Sequence, residues 1–404
     1  MTYIINSLLD LDLYKFTMGQ LLWRKHGTTE GLFKMHNRTT RFNLVEYVDL
    51  AALQAELNHV QQLRFTESEL IYLLDSGFDP DYINFLRHLQ LPPIQAHQID
   101  GQLEVAVRGR WAEITYWETI VLAIVNELFC RGYMRKHDLD YEVVIAEGTR
   151  RLQRKIELLE RYPGLRFVEF GTRRRFGLAW QRTLNRLLMK ALPKQIVGVS
   201  NVQLAMELGQ TPAGTFAHEL PMGYTALADD LDTGQATGHR QMLEDWFAEH
   251  GYLRSIALTD TYGTDFFLTD FIHLAADWKG VRHDSGDPFG FGEKMIQFYT
   301  ELGIDPLTKT LVFSDGLDVE LIEQLYLRFY GRIKLLFGWG TTLTNDLGIP
   351  TLSLVMKLYE VNGRGTVKLS DNVQKAMGNP DDVAKAIELF QYDMTAADDR
   401  VLVV

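Results

Sequence analysis

One short segment combines a small-residue turn with a histidine that could act as a nucleophile. Gly214-Thr215-Phe216-Ala217-His218 ends an apolar run and places the imidazole of His218 just beyond it. The unperturbed pKa of histidine is about 6.5, so a neutral imidazole is available near neutral pH and can carry a phosphoryl group. A single histidine at such a position is also compatible with a structural hydrogen-bonding role. The role of His218 therefore depends on what the rest of the chain places beside it.

Seven apolar runs in the chain each end in a polar turn. Besides 214–218, they lie at 167–173, 196–201, 256–260, 281–287, 311–316 and 335–341. Helical patterns separate several of them, at 175–190, 239–250, 291–302 and 319–330. This alternation predicts a parallel sheet, most simply an irregular (β/α) barrel, in which the carboxyl ends of all strands open on one side. The seven turns, including that of His218, are therefore expected to share one site.

Two of these turns carry groups suited to phosphate and ribose. Gly338-Trp339-Gly340-Thr341 offers closely spaced backbone N–H groups and a threonine hydroxyl, which suit a phosphate, although a plain tight turn has the same composition. Ser314 and Asp315 can hold ribose hydroxyls or Mg²⁺, which prefers carboxylates together with phosphate oxygens. The alternative for these two residues is a cap for the helix that starts near Asp318.

An aromatic ring beside arginines suggests a site for a flat aromatic acid. Phe170 can stack on a ring, and Arg173 and Arg174 can pair with a carboxylate through two parallel hydrogen bonds. The chain has a net charge of −12, so a basic cluster is informative. A run of charges such as Arg173–Arg175 is also typical of a solvated face that pairs with nearby acids.

The densest charged turn, at 281–287, raises the alternative of a metal site. His283, Asp284 and Asp287 from this turn, together with His218, are all plausible ligands of a structural metal ion. No H-x-x-x-H or paired-cysteine spacing supports such a site.

Composition argues against several classes of function. Lys and Arg number 41 against 53 Asp and Glu, and this acidic balance disfavours a broad nucleic-acid-binding surface. The single cysteine, Cys130, excludes an intramolecular disulfide and is expected to be buried. The N-terminus has no signal-peptide pattern, and the run 116–130 is too short and too charged to span a bilayer. We therefore expect a cytoplasmic protein with neither nucleic acid nor membrane as a partner.

The first third of the chain has a different pattern. The predicted elements are helices at 8–26, 66–76, 79–90 and 111–135 and a strand at 103–109. The strand–turn–helix alternation begins only near residue 136. The sequence therefore predicts an N-terminal α/β domain at 1–135 and an irregular α/β barrel domain at 136–364. Residues 365–404 are a candidate to pack against the first domain.

Taken together, the motifs resemble those of the nicotinate phosphoribosyltransferase family of the bacterial type. The matching segments occur in order at 11–18, 169–174, 198–202, 214–219, 282–288, 313–318, 338–341 and 368–370. Each segment is short, and their joint occurrence makes the resemblance specific. It implies the fold of type II phosphoribosyltransferases, an irregular α/β barrel with an N-terminal α/β domain.

The resemblance also implies a reaction. In this family nicotinate displaces pyrophosphate from phosphoribosyl pyrophosphate to give nicotinate mononucleotide in NAD salvage. ATP hydrolysis is coupled to the transfer through a phosphohistidine, which corresponds to His218, so ATP is implied as co-substrate and the enzyme as an ATP-hydrolysing ligase. The implied nicotinate-binding residues are Tyr14, Phe170, Arg173, Thr215 and Arg282. The residues implied to hold the phosphoribosyl diphosphate are Asp284, Ser314, Asp315, Gly338, Gly340 and Thr341, with Mg²⁺ at Asp284 and Asp315 and with His218, Asp284 and Asp315 as the catalytic group.

Specificity for the acid is an expectation that rests on the segment 198–202. Relatives that use nicotinamide carry an acidic residue there, whereas this chain has Ser200 and Asn201. A carboxylate at that place would repel nicotinate, so its absence favours the acid. The alternatives are a phosphoribosyltransferase for nicotinamide or quinolinate, a catalytically silent sensor of NAD metabolites, and a metal-dependent barrel hydrolase. The implied partners are small molecules, and a homodimer stays open.

Overall fold

The computed structural model describes residues 3–372 and 375–393. The chain forms two compact units. The first comprises the chain up to Gly214 together with Trp339–Lys357, and the second comprises Thr215–Gly338 together with the chain from Leu358 onward. The predicted limits of the sequence domains, 1–135 and 136–364, stay a prediction.

The N-terminal part of the first unit combines helices with an antiparallel sheet. Its elements are α1 (Leu13–His26), β1 (Glu30–Asn37), α2 (Leu50–Gln62), α3 (Glu67–Asp75), α4 (Pro80–His88), β2 (Gln95–Ile99), β3 (Gln102–Arg110), α5 (Trp111–Ile114) and α6 (Trp117–Lys136). β3 pairs with β1 on one side and with β2 on the other. Leu103, Val105 and Val107 of β3 are buried in alternation with exposed residues, which is the pattern expected of a strand with one face against a core.

Two helix starts match their sequence signals. Thr66 and Glu69 form the expected capping box of α3. The Asp79 carboxylate accepts hydrogen bonds from the N–H groups of Asp81 and Tyr82, and α4 begins at Pro80. These local signals are reliable because each satisfies N–H groups that the helix itself leaves unpaired.

The first predicted helix starts later than expected. α1 begins at Leu13, because the residues before it are bound elsewhere in the first unit. The carbonyl oxygens of Leu9 and Leu11 accept hydrogen bonds from the backbone N–H groups of Gln203 and Val202. The apolar pattern at 8–12 therefore reflects burial of a turn segment that precedes the helix.

The long helix predicted at 111–135 is two helices, α5 and α6. The backbone at Thr115 and Tyr116 keeps helical dihedral angles between them, so the break is a local loss of hydrogen-bond register. Hydrophobic periodicity does not report such a break because the side chains keep their angular spacing. Cys130 on α6 is fully buried, as predicted.

The remainder of the first unit begins with alternating helices and parallel strands. These are α7 (Tyr141–Leu159), β4 (Phe167–Glu169), α8 (Leu178–Ala191), β5 (Ile196–Val199) and α9 (Val202–Leu208). β4 and β5 pair in parallel, with Glu169 opposite Val199.

A buried ionic network follows β4. The Arg175 guanidinium makes two contacts of 2.6 Å with the Asp10 carboxylate, and both side chains are wholly buried. Asn201 donates to the same carboxylate at 2.6 Å. The amides of Gln181 and Asn185 donate to Glu169 at 2.8 and 3.0 Å. Of the arginines predicted to bind an anion, the structure therefore commits Arg175 to the core.

The second unit, together with the segment Trp339–Lys357 of the first unit, completes the described elements. They are α10 (Glu219–Leu227), α11 (Asp230–Thr233), α12 (Gly238–His250), β6 (Ile256–Leu258), α13 (Thr264–Phe271), β7 (Gly280–His283), α14 (Pro288–Glu301), β8 (Thr310–Phe313), α15 (Val319–Phe329), β9 (Lys334–Trp339), α16 (Thr341–Thr344), β10 (Leu354–Val361), β11 (Arg364–Gly365) and α17 (Pro380–Leu389). β6, β7, β8 and β9 pair in parallel in that order. A separate apolar cluster forms around Tyr262, Val367, Leu369, Ala386 and Phe390.

One of the seven predicted strands is wrong. Residues 213–217 form a loop, and His218 immediately precedes α10. Pro212 takes part only in an isolated bridge with Val199. A proline lacks the N–H group that a strand interior needs, and a glycine two residues later weakens the strand further, so the apolar run does not extend into a ladder. The other six predicted strand ends follow strands β4 to β9.

The predicted α/β class is confirmed by the alternation of helices with parallel strands and by the antiparallel strands of the first unit. Within the part of the chain that the structure describes, the parallel pairings form open runs, and a closed ring is not among them. A search of the same residues finds no helix with the length and apolarity needed to cross a bilayer.

The buried pair Asp10–Arg175 yields a stability prediction. Arg175→Met should lower the free energy of unfolding by about 3–5 kcal/mol, because it leaves the buried Asp10 carboxylate without its cation. Urea unfolding followed by circular dichroism measures this loss. The control is Arg87→Met, which removes an exposed pair with Glu67 and should leave the urea midpoint unchanged. Equal midpoints for the two variants would contradict the prediction.

Candidate active site

The imidazole of His218 lies at the centre of a buried polar cluster in the second unit. Its Nδ1 lies 3.0 Å from the Thr261 hydroxyl. Its Nε2 lies 3.0 Å from Asp284 Oδ2 and also 3.0 Å from Lys368 Nζ. The Lys368 ammonium in turn lies 3.1 Å from the Asp260 carboxylate. Both ring nitrogens therefore have fixed partners, which orients the ring.

The two partners of Nε2 require different tautomers. Lys368 can only donate, so its hydrogen bond needs an unprotonated Nε2 with the proton on Nδ1. Asp284, when ionised, only accepts, so its hydrogen bond needs the proton on Nε2. The Thr261 hydroxyl can donate or accept and so fits either tautomer at Nδ1. The cluster thus stabilises both neutral forms of the imidazole.

Burial, and after it the positive charge of Lys368, lower the pKa of His218 to about 4, although Asp260 and Asp284 act to raise it. The ring is therefore neutral at neutral pH, which is the state that a nitrogen nucleophile needs. Burial alone would raise the pKa of Asp260, but Lys368 holds it well below its usual range. Asp284 also has a lowered pKa, because its hydrogen bond to His218 and the charge of Arg282 outweigh burial.

Ser314 and Asp315, both predicted to bind the phosphoribosyl diphosphate, directly follow β8 in the second unit. Ser314 donates to Asp284 Oδ1 at 3.0 Å and to the His283 carbonyl at 2.9 Å. Asp315 accepts from Lys375 at 2.7 Å and is partly exposed. The structure thus joins His218, Asp284 and Ser314 in one hydrogen-bonded chain. The helix cap that was the alternative for Ser314 and Asp315 is supplied by Asp318.

Sequence reasoning missed three residues of the cluster, Asp260, Thr261 and Lys368. Asp260 stood in one of the seven polar turns, and Lys368 stood in one of the matching segments, but neither was given a role. The sequence did carry a signal for Asp260. Leu258 of β6 pairs with Arg282 of β7, and Asp260 and Asp284 each lie two residues after those partners. For Lys368 the chain offers no comparable signal, since it follows β11 far along the sequence.

The predicted alternative of a metal site with His283 and Asp287 is wrong. The His283 ring packs between Phe291 and Phe313, at centroid distances of 5.1 and 5.7 Å. The Asp287 carboxylate caps α14 by accepting from the N–H groups at 289 and 290. Among the described residues the group with suitable ligand atoms is instead His218, Asp260 and Asp284, all within 4.8 Å of one another. Lys368 contacts the first two of these.

The first unit holds most of the predicted base-binding residues. Tyr14 on α1 is half-buried, and Lys15 Nζ lies 5.2 Å from the centre of its ring. A Cβ on Gly214 would lie 3.0 Å from the Tyr14 backbone nitrogen, so this close approach favours glycine. Thr215, the next residue, is half-buried in the loop before His218.

The backbone joins the predicted aromatic and phosphate-binding residues within the first unit. The N–H of Phe170 donates to the Trp339 carbonyl at 2.8 Å. Gly340 lies so close that a Cβ there would be 3.4 Å from the Phe170 carbonyl oxygen. Thr341 opens α16. Gly338, which ends the second unit's segment Thr215–Gly338, is buried in β9.

The three arginines at 173–175 have separate partners. Arg173 Nη1 lies 3.4 Å from Glu118 Oε1, and 38% of the Arg173 side chain is exposed. Arg174 Nε donates to the Leu354 carbonyl at 3.1 Å. With Arg175 in the core, Arg173 and Arg174 are the arginines of this cluster that stay partly exposed.

Comparison with known proteins decides the family. The family model of the nicotinate phosphoribosyltransferase N-terminal domain matches residues 9–126, and that of the nicotinate phosphoribosyltransferase family matches residues 165–394. The chain belongs to the nicotinate phosphoribosyltransferase family. The crystal structure of nicotinate phosphoribosyltransferase from Vibrio cholerae is 34% identical, with a TM-score of 0.87 over 97% of this chain and 95% of that chain. The enzyme from Porphyromonas gingivalis is 31% identical, with a TM-score of 0.86 over 96% of this chain and 100% of that chain.

In this member of the nicotinate phosphoribosyltransferase family, the two side chains expected to govern base choice already have hydrogen-bond partners within the protein. The Ser200 hydroxyl donates to Asp12 Oδ1 at 2.6 Å, and Asn201 donates to Asp10 and caps α9. Burial raises the pKa of Asp12. The two residues that stand in place of an acid therefore serve the buried network of the first unit.

The His218 cluster predicts how its pKa responds to Lys368. Lys368→Met should raise the pKa of His218 above its native value of about 4, because the ammonium is removed and the Asp260 carboxylate is left without its cation. NMR titration of the imidazole resonances measures this pKa, with His218→Asn used to assign the signal.

The control for that titration is Lys385→Met, which removes an exposed pair with Asp232 in the same unit. Its His218 titration should match the native one. A His218 pKa that stays constant or falls in Lys368→Met would refute the electrostatic role given to the lysine.

Proposed function

We propose that this protein transfers phosphoribose from phosphoribosyl pyrophosphate to nicotinate, and that ATP hydrolysis is coupled to the transfer through a phosphohistidine at His218. The observation that carries the proposal is the neutral, doubly anchored imidazole between Thr261, Asp284 and Lys368. Family membership supports the phosphoribosyl transfer, and the chemistry of the cluster supports the phosphohistidine.

In the first half-reaction, a ring nitrogen of His218 attacks the γ-phosphorus of ATP. An N–P bond forms and the P–O bond to ADP breaks, while the ring proton remains on the other nitrogen. A neutral ring is needed because a protonated nitrogen has no lone pair. Lys368 then offers a positive charge to a phosphoryl group that carries about −1.5 to −2 charges at neutral pH. Water later cleaves the N–P bond and releases inorganic phosphate.

In the transfer itself, the pyridine nitrogen of nicotinate attacks C1 of the ribose and the C–O bond to pyrophosphate breaks. The enzyme must hold a weak nucleophile in line and stabilise a highly charged leaving group. We assign the base to Tyr14, Phe170, Arg173, Thr215 and Arg282. We assign the phosphoribosyl diphosphate to Asp284, Ser314, Asp315, Gly338, Gly340 and Thr341.

Mg²⁺ is part of the proposal, and the donor set fits it. Asp284 and Asp315 are partly exposed carboxylates, and such oxygens together with diphosphate oxygens are the ligands that Mg²⁺ prefers. The ion would neutralise charge on the departing pyrophosphate.

The direct test is an assay with nicotinate, phosphoribosyl pyrophosphate and Mg²⁺, with and without ATP. Nicotinate mononucleotide, detected by chromatography, should form in both reactions and faster or to a higher extent with ATP. Parallel reactions with nicotinamide and quinolinate test the base. Absence of product from nicotinate under both conditions would overturn the proposed function, and a preference for either other base would reassign the substrate.

The phosphohistidine has its own test. His218→Asn should lose labelling by ATP that carries a labelled γ-phosphate and should lose the stimulation by ATP, while slow formation of nicotinate mononucleotide remains. His273→Asn is the control, because His273 is exposed and is not a member of the buried cluster. Labelling that persists in His218→Asn would contradict the assignment of His218 as the phosphoryl carrier.

A further inference from the structure

Glu118 is a buried carboxylate that bridges two cations in the first unit. It lies on α6, and 3% of its side chain is exposed. Its Oε2 lies 2.6 Å from Lys15 Nζ, and its Oε1 lies 3.4 Å from Arg173 Nη1. Lys15 is wholly buried on α1 and also donates to the Thr115 hydroxyl at 3.3 Å. None of the sequence motifs described above includes Glu118.

The Glu118 carboxylate is ionised. Burial alone would raise its pKa, but the positive charges of Lys15, Lys357 and Arg173 lower it to about 2. Asp12 is a further acid near Arg173; burial raises its pKa, and its carboxylate accepts from Ser200. At neutral pH the Glu118 carboxylate therefore faces Arg173 with a full negative charge.

The two cations that contact Glu118 differ in contact distance and in exposure. The Lys15 end has a short contact and no exposure, so it fixes one carboxylate oxygen. The Arg173 end has a longer contact, and 38% of the Arg173 side chain is exposed. A buried charge that is anchored by one cation and contacts a second, exposed cation is suited to orient the second one. Arginine recognises a carboxylate best through two parallel hydrogen bonds, so its orientation governs how well it binds an acid.

We infer that Glu118 is a positioning residue for recognition of the substrate's carboxylate: anchored by Lys15, it holds the Arg173 guanidinium in the orientation that binds an anionic aromatic base. This inference rests on the proposed function and deepens it. It makes the preference for the acid over its amide depend on a residue that does not touch the substrate. Lys15, next in sequence to Tyr14, is the anchor of the arrangement.

The test is Glu118→Gln in the full-length protein. The amide oxygen can still accept from Lys15, but its NH₂ group then faces the guanidinium of Arg173, donor against donor. The KM for nicotinate should rise about tenfold or more, which is the scale of losing one hydrogen bond to a charged group. The kcat and the KM for phosphoribosyl pyrophosphate should change by less than about threefold. The inhibition constant of nicotinamide, which has no carboxylate, should also change by less than about threefold.

The control is Glu127→Gln on the same helix. Glu127 is also buried and contacts an arginine at 2.5 Å, but that arginine is Arg131, whereas Arg173 pairs with Glu118. Its KM for nicotinate should equal the native value. A general loosening of α6 would instead affect both variants and both bases.

A second variant guards against failure of Glu118→Gln to fold. Lys15→Met with Glu118→Met removes the buried pair as a unit and leaves no buried charge without a partner. It should show the same loss, confined to nicotinate. If either folded variant keeps the native KM for nicotinate, or loses affinity equally for nicotinamide, the positioning role is wrong. Absence of nicotinate-dependent product with the native protein would instead refute the proposed function.

Discussion

The ammonium group of Lys368 is the contact on which the other charges of the second unit's cluster depend. It lies 3.0 Å from His218 Nε2 and 3.1 Å from Asp260, and all three side chains are buried. Without a cation, burial would favour the protonated form of Asp260, and Asp260 and Asp284 would raise the pKa of His218 with only burial to oppose them. With the cation present, the carboxylate keeps its charge and the imidazole stays neutral. The nucleophilic state of His218 is therefore a property of the cluster and not of histidine alone.

Register between parallel strands explains why the other members of the cluster meet. Leu258 of β6 lies opposite Arg282 of β7, so Asp260 and Asp284 occupy equivalent places two residues further on. His283 of β7 lies opposite Phe313 of β8, which makes Asp284 and Ser314 neighbours in the same way. A ligand-binding edge at the carboxyl ends of strands follows from this geometry.

The same geometry shows how much the sequence could predict. Alternation of apolar runs and helices was enough to locate six of the seven strands, and hence to bring Asp284 and Ser314 to one edge. The prediction of a strand at 213–217 was wrong because Pro212 and Gly214 disfavour strand pairing, although the apolar content of the segment resembles that of a strand. Lys368 and the partner of Arg175 could not be inferred, because each contact joins residues that are more than a hundred positions apart. Neither local pattern nor composition encodes such a pairing.

Buried ion pairs in the first unit need an explanation other than stability. Replacing a buried pair by apolar side chains of similar volume is often neutral or stabilising, so the presence of Asp10–Arg175 and Lys15–Glu118 is weak evidence for a stabilising role. Both pairs adjoin the turn after β4. One anchors Arg175 and the other contacts Arg173, so the intervening backbone is held from two sides. A charged pair specifies direction as well as proximity, because its hydrogen bonds require particular donor and acceptor angles. Contact of the partly exposed Arg173 with the anchored Glu118 carboxylate is therefore a directional constraint that an apolar core could not supply.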